Sequence, residues 1–89
     1  YLYAQAFVEY AKSVDIDETV ARDLFAKSLI GSAKMITDSG KSLDELIEMV
    51  SSKGGTTIAG LEKLREGGLP KAVEDCCKAC TKRAYELSK

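Results

Sequence analysis

The sequence predicts an all-α domain built from about five helices. Apolar residues recur at helical spacing through most of the 89 residues. Glycines, one proline and a Ser-x-x-Glu signal divide this pattern at helix-length intervals. No segment shows an alternating strand pattern that rivals the helical ones. We therefore expect residues 1–89 to form a single helical domain.

The first two helices are expected to be the most apolar. In the first helix, helical spacing relates Phe7, Tyr10, Ala11 and Val14. The segment 15–18 then supplies a break, together with acidic side chains that suit the positive end of the next helix. The second helix should run from about Asp17 to Ser39. Because the polar stripes of both helices are narrow, we expect other helices to pack against each of them from more than one side. We expect the second helix to be central and nearly enclosed.

Local end signals place the other three helices. Gly40 suits the position after a helix, and Ser42 with Glu45 has the form of a capping box, so the third helix should span about 43–50. The fourth should run over about 56–66 and end at Gly67-Gly68. Pro70 fits the first turn of the last helix because its missing N–H is not needed there.

Composition narrows the possible partners. Lys plus Arg number 13 and Asp plus Glu number 14, for a net charge of -1, so no basic field attracts nucleic acid or anionic lipid. No apolar run is long enough to span a membrane, and no export signal is visible. We expect a cytoplasmic protein without nucleic-acid or membrane partners. One domain of this size buries a modest core, so the wide apolar faces predict at least a dimer.

The three cysteines, Cys76, Cys77 and Cys80, include one C-x-x-C pair. A redox or metal role is one interpretation. However, the pair lies inside a helical pattern, and a structural zinc site needs four ligands where the chain has three cysteines and no histidine. We favour small buried apolar residues, and expect no metal. The chain also lacks a complete catalytic constellation, since the commonest general base is absent.

The segment 50–60 carries the strongest functional signal. Its sequence, Val-Ser-Ser-Lys-Gly-Gly-Thr-Thr-Ile-Ala-Gly, opens the fourth helix. The first N–H groups of a helix lack intrahelical partners and carry partial positive charge, so an anion can bind if the backbone is uncrowded. Gly54 and Gly55 remove crowding, and Ser52, Thr56 and Thr57 add hydroxyls. Anion binding and simple helix capping both remain open at this point.

The segment 48–61 resembles the signature of pyrroline-5-carboxylate reductases. Gly31-Ser32-Ala33-Lys34-Met35 and Glu66-Gly67-Gly68-Leu69 match the same family, so the resemblance covers the whole chain. It implies the C-terminal helical domain of such an enzyme, like that of 6-phosphogluconate-dehydrogenase-like reductases, in which helices of two subunits intertwine. Dimers of the family can assemble further. The family's amino-terminal dinucleotide-binding domain is absent from this chain, so we expect the fragment alone to be inactive.

The resemblance also implies an activity and a site. The family reduces 1-pyrroline-5-carboxylate to L-proline with NADPH or NADH, which the absent domain mainly binds. Ser52 and the backbone of Gly54, Gly55, Thr56 and Thr57 correspond to the substrate-carboxylate loop, and the Thr57 hydroxyl to the catalytic group near the ring nitrogen. Lys53 stands where the family usually has proline. Proline would stiffen the loop, so lysine is expected either to loosen it or to bring a positive charge near the carboxylate.

Two other hypotheses remain. In the first, the chain is a self-standing helical association module whose loop merely caps a helix. In the second, it is the helical domain of a related NAD(P)-dependent dehydrogenase that acts on a different acid. A G-x-G-x-x-G motif encoded upstream of Tyr1 separates the reductase from the association module. Assays with other imino and hydroxy acids separate the two enzymes.

Overall fold

A computed structural model describes residues 1–52 and 55–89. The described residues form five α-helices and no strand, which confirms the all-α prediction. The helices are α1 (Leu2–Ser13), α2 (Glu18–Asp38), α3 (Leu43–Ser51), α4 (Gly55–Glu66) and α5 (Leu69–Leu87). Their bounds agree closely with those expected from the end signals. The chain divides into two compact units, Tyr1–Ile47 and Glu48–Lys89, with the boundary inside α3.

The core of the first unit lies where α1 packs against the first half of α2. Its buried side chains are small: Val8, Ala11 and Ala21. Phe25 extends this contact, since its ring lies 5.3 Å from the ring of Tyr3 and 5.0 Å from that of Phe7. Edge-on and tilted ring pairs at such distances are attractive beyond the area they bury. The aromatic group therefore holds α1 and α2 together.

A tight connection lets α1 and α2 pack as neighbours. Asp15 adopts a left-handed conformation with φ 65°. The Ile16 N–H then donates to the Ala11 carbonyl at 2.9 Å, which closes the end of α1. The Asp17 carboxylate accepts from the Val20 N–H at 3.2 Å and caps α2. The predicted acidic start of α2 is thus confirmed.

The second half of α2 extends beyond the part that α1 covers. At 1.5 Å per residue, its 21 residues extend about 31 Å, whereas the 12 residues of α1 extend about 18 Å. Met35 and Ile36 continue the face that contains Phe25, yet they are 38% and 56% exposed. The expectation of a nearly enclosed α2 is therefore wrong for the single chain, because α1 is too short to cover it.

The predicted capping box begins α3. Gly40 adopts φ 72° after α2 ends. The Glu45 N–H donates to the Ser42 hydroxyl at 3.1 Å, and the Ser42 N–H donates to the Glu45 carboxylate at 3.0 Å. The bond from the Ser42 backbone, and secondarily its hydroxyl, holds the pKa of the Glu45 carboxyl below its ordinary value. Both predicted partners therefore contribute to the cap.

The second unit contains α4 and α5, which contact each other. The Gly67 N–H donates to the Lys63 carbonyl at 2.9 Å, and Gly68 adopts φ 81° immediately before α5. A residue with a Cβ is strained in that left-handed conformation, so the glycine is required by the turn. Pro70 occupies the first turn of α5, as predicted.

Candidate functional site

The candidate site is the start of α4. This helix begins at Gly55, so the amides of Gly55, Thr56 and Thr57 belong to its first turn. Helix geometry leaves such amides without intrahelical partners and directs them out of the helix end. A Cβ added to Gly55 would meet no atom within 4 Å among the described residues. The described residues therefore leave open space beside the Gly55 Cα.

The two threonines of this turn differ in environment. Thr57 is half-buried, whereas Thr56 is exposed. A half-buried side chain has less conformational freedom than an exposed one and is better suited to orient a small ligand. The structure thus places these two adjacent threonines in different environments.

Ser52 lies directly after the last residue of α3. Its N–H donates to the Glu48 carbonyl at 2.8 Å, and its hydroxyl donates to the Met49 carbonyl at 3.2 Å. The side chain is exposed. In this conformation the hydroxyl caps α3, so it must rotate to donate to a ligand. Gly54 and Lys53, the remaining predicted loop positions, lie outside the described residues.

Electrostatics at the start of α4 favour an anion. The first turns of α2 and α3 contain carboxylates of their own, Glu18 in one and Asp44 and Glu45 in the other. The first turn of α4 contains no acidic residue, a property that it shares with α1 and α5, and its basic residues Lys63 and Arg65 lie in the last turn. The partial positive charge at this helix start is therefore not neutralised by a carboxylate in its own first turn.

The cysteines do not take the buried positions that we favoured from the sequence. Cys76, Cys77 and Cys80 are all free and exposed in this chain. Packing within this chain therefore does not explain them. Among the described residues, no group of three or more histidine, cysteine or acidic side chains is arranged to hold a metal ion. The described helices also include none with the length and apolarity to cross a membrane.

Sequence patterns gave no indication of a polar groove between α1 and α2. This open groove has a volume of about 310 Å³ and is lined by Tyr1, Ala4, Gln5, Val8, Glu9, Glu18 and Arg22. The residues that line it are separated along the chain and belong to two helices. Only the packing of α1 on α2 brings them together, so no local motif could reveal the groove.

Comparison with known proteins agrees with the motif at this site. The profile of the family described as pyrroline-5-carboxylate reductase dimerisation matches residues 1–87. Pyrroline-5-carboxylate reductase 3 of Danio rerio is 36% identical over 87 residues, which are 98% of this chain and 30% of that protein. Pyrroline-5-carboxylate reductase 2 of Bacillus subtilis (strain 168) is 32% identical over 98% of this chain and 31% of its own length.

A third relative comes from a different bacterium. Pyrroline-5-carboxylate reductase of Haemophilus influenzae is 35% identical over 88 residues, covering 98% of this chain and 32% of that protein. The chain thus spans about a third of the length of the curated relatives that it matches. No solved structure gives a significant match. Since the family profile covers nearly every residue, this chain belongs to the pyrroline-5-carboxylate reductase dimerisation family.

Proposed function

We propose that this chain is the C-terminal domain of a pyrroline-5-carboxylate reductase, which reduces 1-pyrroline-5-carboxylate to L-proline with NADPH or NADH. The observation that carries the proposal is the family match over residues 1–87, with the signature segment opening α4. Three free thiols are ordinary in a reducing compartment, which supports a cytoplasmic location. The domain would supply the substrate-carboxylate loop and the dimer interface.

In this proposal, the substrate carboxylate binds at the start of α4. The amides of Gly55, Thr56 and Thr57 donate to its oxygens, and Gly54, which lies outside the described residues, is a further proposed contact. Ser52 adds its hydroxyl after rotating away from the Met49 carbonyl. Support comes from the open space at Gly55 and the lack of an acidic residue in the first turn of α4. An anion at a helix start gains from both the free amides and the helix dipole.

Thr57 would have the catalytic role in this chain. Its hydroxyl would approach the ring nitrogen of the bound imine and orient the C=N bond. Reduction adds a hydride to the imine carbon and a proton to the nitrogen, so a positioned donor stabilises charge that changes at nitrogen during the step. Support comes from the half-buried position of Thr57 in the first turn of α4.

The nicotinamide cofactor would be bound outside this chain. The sequence contains no G-x-G-x-x-G motif, and the described residues include no strand to precede one. The residues present therefore do not form a dinucleotide site of that type. In the reaction itself, the role of the chain would be to hold and orient the imino acid.

Activity measurements on the full-length protein test the site. Thr57→Ala should lower kcat/KM for the imine by about 10-fold to 1,000-fold, as for loss of one positioned donor. Thr57→Ser should retain most activity because it keeps the hydroxyl. Ser52→Ala should mainly raise KM, because a carboxylate contact is made in both ground and transition states. Thr81→Ala is the matched control, since Thr81 is an exposed threonine of α5. Normal kcat/KM in both Thr57→Ala and Ser52→Ala would show that the assignment of the substrate site to these residues is wrong.

The dimer interface would include the uncovered half of α2. Met35 and Ile36 are 38% and 56% exposed on the face that begins at Phe25, and Gly31 has nothing within 4 Å of an added Cβ among the described residues. These features leave room for a helix of a second copy to approach closely. Rings of dimers, as the family can form, would be a further assembly step.

Sedimentation tests the interface. Ile36→Asn should weaken self-association, because it places an amide on the proposed buried face. Ile16→Asn makes the same chemical change at a residue that is 43% exposed in the connection before α2, and should leave association unchanged. A stable monomer of the unmodified protein at micromolar concentration contradicts the dimer. A monomer would not test the substrate site or the reductase assignment. The activity of the same samples must therefore be measured in parallel.

A further inference from the structure

The last helix contains three thiols that the proposed function does not use. Cys76, Cys77 and Cys80 are free and exposed, and all three lie inside α5. We propose that Cys80, together with Cys76 or Cys77, forms a two-thiol binding site for a thiophilic metalloid or metal ion, with trivalent arsenic as the representative ligand. The inference is independent of the reductase activity.

Helix geometry makes Cys80 the shared member of two pairs. Cys76 and Cys80 are four residues apart, and Cys77 and Cys80 are three apart. Residues at these spacings share a face of a helix, with Cβ atoms about 5–6 Å apart. Cys76 and Cys77 are adjacent and project about 100° apart around the axis, so they do not face each other. Any two-thiol site on α5 therefore depends on Cys80.

The same spacing disfavours a disulfide. A disulfide needs Cβ atoms about 3.5–4.5 Å apart, which is shorter than the spacing on a regular helix. Forming one would distort α5. A single soft atom bonded to both sulfurs spans more distance: two bonds of about 2.3 Å at a near-right angle hold the sulfurs roughly 3.3 Å apart, against about 2.05 Å in a disulfide. Thiolates are the ligands that such soft elements prefer.

The surroundings leave the thiols accessible. Cys77 borders an open groove along α5 that is also lined by Glu74, Lys78, Thr81, Lys82 and Tyr85. No group of three or more ligand side chains is arranged for a metal ion within residues 1–52 and 55–89. The proposed site therefore uses two thiolates, and the ligand keeps a bond to a substituent of its own.

Phenylarsine oxide is a suitable probe because it requires no oxidant. Its arsenic–oxygen bond is replaced by two arsenic–sulfur bonds, and the two thiol protons leave with the oxygen as one water molecule. Arsenic remains trivalent, and neither sulfur is oxidised. The reaction consumes two thiols for each phenylarsine bound, which gives two independent readouts: intact mass and the number of free thiols.

Three single variants of the full chain provide the test. Cys76→Ser, Cys77→Ser and Cys80→Ser each retain two cysteines, so they differ in spacing and not in thiol count. The unmodified protein, Cys76→Ser and Cys77→Ser should each bind one phenylarsine and lose two thiols. Cys80→Ser should bind phenylarsine at least about tenfold more weakly. Its two remaining thiols are adjacent in sequence, so they do not provide a second intramolecular contact at high effective concentration. The double variant Cys76→Ser/Cys77→Ser gives the single-thiol baseline.

Two results would overturn the proposal. One is binding by Cys80→Ser as tight as that by Cys77→Ser, which would show that spacing on the helix is irrelevant. The other is an unmodified protein that binds no tighter than the single-thiol baseline, as would occur if assembly covered the thiols. Far-UV circular dichroism on every variant checks that α5 is intact, and Cys80→Ala replaces Cys80→Ser if the serine variant fails to fold.

Discussion

Removing the Ser42 hydroxyl should destabilise the start of α3 by a measurable amount. The hydroxyl accepts from the Glu45 N–H at 3.1 Å, and Ser42→Ala leaves that N–H without this partner. Loss of a serine cap costs about 1 kcal/mol, with a range of about 0.5–2. For a domain of this size, about 1 kcal/mol lowers Tm by about 4–8 °C.

Thermal unfolding followed by circular dichroism measures this change. Protein concentration must be held constant, because assembly makes Tm concentration-dependent. Ser13→Ala is the matched control: the Ser13 hydroxyl donates to the Tyr10 carbonyl within α1, so its removal leaves no N–H without a partner. If Ser42→Ala lowers Tm no more than Ser13→Ala does, the reasoning about the capping box is refuted.

The acidic partner of the same box adds a pH dependence. The pKa of Glu45 is lowered in the folded chain, chiefly by the Ser42 backbone N–H. A lowered pKa stabilises the folded chain at pH values above 4.5, the ordinary pKa of a glutamate. This contribution is lost as the pH falls through the pKa that Glu45 has in the folded chain. Glu45→Gln should therefore be less stable than the unmodified protein at neutral pH, with the difference shrinking in acid. A difference that stays constant from pH 7 to pH 3 would contradict this sign.

Two further predictions concern packing and backbone conformation. Phe25→Leu should destabilise the first unit by about 1–3 kcal/mol in urea unfolding, since it removes two ring pairs of about 0.5–1.5 kcal/mol each. Tyr10→Leu is the control and should have little effect, because Tyr10 is 67% exposed. Gly68→Ala should lower the free energy of unfolding by about 1–2 kcal/mol, because φ is 81° at this residue. Gly68→Asn should lower it less, because asparagine tolerates that conformation. Equal losses in the two variants would exclude the backbone explanation.

Helix positions and ends were predictable because their causes are local. The Ser42 and Glu45 cap, the turn at Gly40 and the start of α5 at Pro70 each depend on residues within one or two turns of each other. The start of α4 at Gly55 likewise follows from the glycine and threonine run. The candidate anion site was therefore visible in the sequence as a short segment with unusual helix-start chemistry.

Tertiary packing decided which apolar and polar residues are covered. Periodicity identified the apolar face of α2, but only the length of α1 determines that Ala21 is buried while Ile36 stays 56% exposed. The same limit applies to Cys80, whose place on an apolar helix face suggested burial and whose thiol is exposed in this chain. The sequence by itself thus determined the helices, their caps and the family. Burial depends on contacts between residues distant along the chain, and only the tertiary structure specifies those contacts.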